Sequence, residues 1–98
     1  MLSPIRVEVE NAQNGTTRYK VSEGEWIGLN ASQVWNIDNV SNGDTVTICA
    51  IPNAQQELDG AEFRVNGMME PIDGAALQTE SGWSFTYSED NTYQISIG

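Results

Sequence analysis

Histidine is absent from these 98 residues, cysteine occurs once, and only four residues are basic. Each shortage removes a class of function. Without an imidazole, Ser-His-Asp and Cys-His nucleophilic sites cannot be built. His-ligated zinc, copper and non-haem iron centres go with them. The lone Cys49 excludes an internal disulfide and a thiolate metal cluster, and its place within an alternating stretch reads as a small buried hydrophobe. No apolar run approaches the ~18 residues of a membrane span. Met1-Leu2-Ser3-Pro4 has neither the basic start nor the apolar core of a signal peptide. Neither a G-x-x-x-x-G-K phosphate loop nor a G-x-G-x-x-G occurs. Paired carboxylates for glycosidic chemistry need a cleft that holds two acids about 5–9.5 Å apart, and a small sandwich has little room for one. The expectation is a protein that is not an enzyme.

Acid is what the chain has in excess: 14 aspartates and glutamates, for a net charge of −10. The imbalance is uneven. Residues 1–20 carry Arg6, Arg18 and Lys20 against Glu8 and Glu10, a net of +1, whereas residues 21–98 carry Arg64 against 12 acids, a net of −11. Such a surface repels nucleic acid and anionic membrane and suits solubility, cations or a basic protein partner. A chain of this length forms one domain, residues 1–98, burying roughly 60–68% of its unfolded surface.

The apolar residues recur with period two, which is the strand period. The stretch from Gly43 to Pro52 is the organising one: Val46, Ile48 and Ala50 share one face, Thr45, Thr47 and Cys49 the other. Ile5, Val7 and Val9 alternate with Arg6, Glu8 and Glu10 as in a half-solvated antiparallel strand. Asn14-Gly15 signals a hairpin into a return strand, Thr16 to Val21. Further strands are expected at Val34–Ile37, Ala61–Asn66, Trp83–Tyr87 and Tyr93–Ile97, with a tight turn at Asn66-Gly67. Trp26, Ile27 and Leu29 make a short apolar patch, and 53–58 has the spacing of a single capped helical turn. Met68 to Gly82 reads as a long loop with one edge strand around Ala76-Leu77-Gln78. About seven short strands separated by turn signals predict an all-β, Ig-like antiparallel sandwich, with a small barrel as the alternative. Phe63, Phe85 and Tyr93 are expected to cover the organising strand.

The back half, Gly43-Asp44-Thr45-Val46-Thr47-Ile48, then Glu62-Phe63-Arg64-Val65-Asn66-Gly67, then Trp83-Ser84-Phe85-Thr86-Tyr87, then Tyr93-Gln94-Ile95-Ser96-Ile97, resembles bacterial and phage Ig-like modules of the PKD type. That resemblance spans residues 43–97. The family's usual tryptophan on the central strand is replaced by Phe63 or Val65, and Cys49 has no partner. The resemblance implies a sandwich that spaces, decorates or adheres, and it names no ligand or catalytic residue.

Three functions from different classes follow. The preferred one is a structural or adhesive module, a phage virion surface or capsid decoration protein that docks on a capsid or other virion protein and forms a homo-oligomer. Its start at Met1 without a signal, its close within two residues of the last strand and its independence of disulfides favour the virion setting. Met1 to Pro4 is expected to act as an arm on a neighbouring subunit. Met68, Met69, Ile72 and Leu77 are the candidate partner-binding residues, the alternative being a loop folded over the open end of the sandwich. The second function is a carbohydrate-binding module of a bacterial surface or secreted protein, with Trp26 and Trp35 as stacking platforms for a glycan and Trp83 in the core. The third is an acidic inhibitor occupying a basic nucleic-acid-binding groove. No cofactor is expected, but calcium is weighed, because Asp38, Asn39 and Asp44 flank one turn and Glu89-Asp90-Asn91 form another, and calcium needs six to eight converging oxygens.

Overall fold

The computed structural model describes residues 5–9, 15–29, 33–52 and 60–98. These residues form nine strands and one helical turn: β1 (Ile5–Val9), β2 (Gly15–Val21), β3 (Ile27–Leu29), β4 (Gln33–Ile37), β5 (Thr45–Pro52), β6 (Ala61–Val65), β7 (Met68–Glu70), α1 (Gly74–Leu77), β8 (Trp83–Thr86) and β9 (Tyr93–Ile97). They are arranged as a five-stranded sheet in the order β4-β1-β9-β6-β7 and a four-stranded sheet in the order β3-β2-β5-β8. The protein is an all-β two-sheet sandwich. The expected arm at 1–4 and the helical turn at 53–58 lie outside the described residues.

The period-two pattern explains the layers. Ile5, Val7 and Val9 of β1 and Tyr93, Ile95 and Ile97 of β9 are all buried. They share one core with Tyr19, Leu29, Val46, Ile48 and Ala50 of the four-stranded sheet. Each such aliphatic side chain contributes roughly 1.5–3 kcal/mol when fully buried. The expected aromatic cover is present. Phe63 on β6 reaches across to Trp83 and Phe85 on β8, with ring centroids 4.7 Å and 5.0 Å away, and stacks on Tyr93 at 6.1 Å.

All seven expected strands form, but their pairing departs from local reading in four places. β1 and β2 make no hairpin at Asn14-Gly15. β1 lies between β4, antiparallel, and β9, parallel, while β2 joins the other sheet and pairs along its length with β5. Both edges of β1 are thus occupied, and β2 gains a seven-residue ladder on β5 that a five-residue β1 could not match. The sheet is consequently not purely antiparallel: the first and last strands run side by side in the same direction. The expected edge strand at 76–78 is instead the end of a helical turn. Asp73 caps it, its Oδ1 accepting from Ala75 N and Ala76 N at 3.1 Å and 3.2 Å. Finally, Met68–Glu70 is a strand rather than loop, because Asn66 (φ 53°) and Gly67 (φ 81°) make the two-residue turn that returns β6 directly into β7.

β5 is buried on both sides, which alternation alone does not foretell. Thr47 and Cys49 are shielded because the link from α1 to β8 closes over their side of the strand. The Cys49 Sγ donates to the Thr79 carbonyl at 3.0 Å. At Gly82 (φ 77°) a Cβ would stand 2.7 Å from the Ile48 carbonyl oxygen, so only glycine brings the chain this close. At the corner before β9, the Tyr93 hydroxyl accepts from the Ser88 backbone N at 3.0 Å.

Candidate functional site

β7 is the last strand of its sheet and, among the described residues, pairs only with β6. Its side chains have little to rest on. Met69 stands opposite Arg64, and Met68 stands opposite Val65. Met68 is 71% exposed and Met69 54%, and no other large apolar side chain among the described residues is more exposed. The turn beneath is held firmly. The Asn66 side chain accepts from Thr92 N at 2.9 Å and donates to Asn91 Oδ1 at 2.9 Å. Two exposed thioethers therefore sit on a short, braced strand with one backbone edge unpaired among the described residues.

The four candidate partner residues do not form one surface. Met68 and Met69 lie outside, but Leu77 is 2% exposed and belongs to the core. Ile72 is half-buried against that core. The Asp73-capped turn rolls Leu77 inward. This corrects the expectation of a continuous patch: Ile72 and Leu77 close the sandwich, and only the two methionines are exposed, on opposite faces of β7.

The tryptophans also divide. Trp35 stands opposite Val7 on the core-facing side of β4, and its half-buried ring packs against the core. It offers no open platform, contrary to expectation, and its shielded Nε1 has no hydrogen-bond partner among the described residues. Trp83 packs edge-on against Phe63, as expected of a core residue. Trp26 differs. It precedes β3 outside the core, half-exposed, with the Arg18 guanidinium 4.3 Å and the Lys20 ammonium 4.9 Å from its ring centroid.

The two acidic turns weighed for calcium come together. Asn42 Oδ1 accepts from Glu89 N at 3.1 Å, and Gly43 N donates to the Tyr87 carbonyl at 2.9 Å. Their oxygens serve the chain itself: the Asp44 carboxylate accepts from Ser41 N at 2.9 Å and from the Ser22 hydroxyl at 3.3 Å. Among the described residues no group of three or more acidic, cysteine or histidine side chains is placed to hold a metal ion. Near this end of the sandwich, burial holds the Tyr19 hydroxyl above its ordinary pKa, and the charge of Asp38 pushes the same way.

Sequence reasoning passed over Arg18 and Lys20. Their signal is present nonetheless, as alternate basic positions on a strand in a chain that is otherwise acidic. No protein-family model matches the chain, and searches of curated proteins and of solved structures find no match.

Proposed function

We propose that the protein is a non-enzymatic structural or adhesive module that docks on a protein partner through β7, in the setting of a virion surface or capsid lattice. The observation that carries this reading is the exposed Met68–Met69 pair on a strand whose outer edge is unpaired among the described residues. An unpaired edge supplies backbone donors and acceptors to an incoming strand, and alternate side chains set the fit. Methionine suits the contact because its unbranched thioether adapts to irregular surfaces. Three residues are too few to hold a partner alone. A stable contact covers roughly 800 Å² on each side, so the partner must extend over neighbouring surface.

The test is co-sedimentation with capsids together with light scattering, comparing the wild type with Met68→Glu/Met69→Glu. Both changes fall on exposed positions and should leave folding intact. The wild type should sediment with the particles or self-associate, and the double variant should do neither. A wild type that stays monomeric and free of capsids would remove the reading. Trp26, outside the core beside two cations, favours a second reading, carbohydrate binding.

A further inference from the structure

The four basic residues fall into two unlike pairs. Arg6 and Arg64, both on the five-stranded sheet, each have a carboxylate on their own strand: Arg6 lies 3.8 Å from Glu8, and Arg64 3.6 Å from Glu62. Arg18 and Lys20 have none among the described residues, in a chain with 14 acids. Glu23 and Glu25, on the turn that follows β2, stay beyond ion-pair distance of both. The two cations share the face of β2 that points away from the core, since the intervening Tyr19 is buried and pairs with Ile48. Both approach the indole of Trp26.

The ground around them is open. Arg18 stands opposite Gly28, where a Cβ would meet nothing within 4 Å. On its other side lies Cys49, already covered at Thr79. The link from α1 to β8 thus covers the β5 side of this sheet face, and no other described element covers the β2–β3 side. Arg18 Nε is shielded from solvent and has no hydrogen-bond partner among the described residues.

We propose that this half-face, formed by Arg18, Lys20 and Trp26 around Gly28, binds an acidic glycan, with the two cations, which already lie over the indole, holding its carboxylate and the sugar seated beside the ring. The charge of the whole molecule selects among anions. At −10 the protein repels a dense polyanion at long range, and the patch attracts only within a Debye length of about 8 Å. A ligand with one carboxylate per sugar fits that balance better than nucleic acid. The site lies on the sheet opposite β7 and stands independently of docking there.

The experiment is a titration of nitrogen-15-labelled protein that follows the Trp26 indole N–H resonance, assigned with Trp26→Phe. The ligands are a galacturonic acid tetramer, the neutral galactose tetramer and a glutamate tetrapeptide. The uronate should move the Trp26 resonance saturably and more weakly as salt rises, while the neutral sugar and the peptide leave it in place. Arg18→Gln and Lys20→Gln, which keep the chain length of β2 and its fold, should each weaken binding by roughly tenfold. No movement with uronate at about 10 mM would overturn the proposal. Equal binding of the neutral tetramer would overturn the role of the cations. Equal binding of the glutamate tetrapeptide would reassign the face to acidic protein segments.

Discussion

Phe63 is the side chain through which the two sheets grip one another, and its truncation has a calculable effect. It projects from β6 in the five-stranded sheet and touches Trp83 edge-on and Phe85 obliquely in the other, with Tyr93 stacked beside it. Truncation to alanine removes the transfer energy of a buried ring and leaves a cavity, a loss of about 3–5 kcal/mol in comparable cores. Loss of the aromatic pairings is part of that figure, at about 0.5–1.5 kcal/mol for each good pair. Against a total stability of about 5–15 kcal/mol for a domain, the variant should be close to unfolding, with its melting temperature down by on the order of 20 °C. Phe63→Leu, which keeps most of the volume, should lose about 1–2 kcal/mol. Urea denaturation followed by near-ultraviolet circular dichroism measures both, and an unchanged m-value would show that the folded and unfolded states are otherwise alike. If Phe63→Ala loses less than about 1 kcal/mol, typical of a surface site, the sheets do not pack through this ring and the description of the core is wrong.

Two further outcomes follow from the same structure. Gly82→Ala places a methyl group 2.7 Å from the Ile48 carbonyl oxygen in a left-handed backbone conformation. It should destabilise by about 2 kcal/mol or more, whereas Gly28→Ala, in open space, should cost little; thermal melts of the pair check the contrast. The Tyr19 hydroxyl is held above its ordinary pKa by burial and by Asp38. The native state therefore keeps this proton longer than the unfolded chain does. Its contribution to stability is intact below pH of about 10 and is lost as pH rises from there through the raised native value. Phenolate absorbance and alkaline melts of wild type and Tyr19→Phe should show that slope, and its loss in the variant.

The layering was legible because it depends on local alternation. Val46, Ile48 and Ala50 recur at the strand period, and so do Ile5, Val7 and Val9, and those residues form the core. Asn66-Gly67 was legible because a two-residue turn with both residues at positive φ needs those side chains. The partner of each strand was not. Whether β1 folds back on β2 or crosses to β9 depends on residues about 90 positions away in sequence, and a local signal such as Asn14-Gly15 carries no information about that competition. The candidate sites failed for a related reason. Met68, Met69, Ile72 and Leu77 look alike in composition, and only the turn capped by Asp73 separates the two that are exposed from the two that pack inward. Trp35 and Trp26 were indistinguishable as isolated aromatic residues. Their difference lies in what stands opposite each: Val7 of the core in one case, and the outward cations of β2 in the other.

The claim that β7 is where the protein meets its partner is tested most directly by oxidative footprinting of the methionines. Brief peroxide treatment of the free protein should convert Met68 and Met69 to sulfoxides readily, because both thioethers face water. On protein bound to capsids, or in its own oligomer, the same treatment should spare both residues. Equal oxidation of Met68 and Met69 in the free and bound forms would contradict the account and place the contact elsewhere on the sandwich.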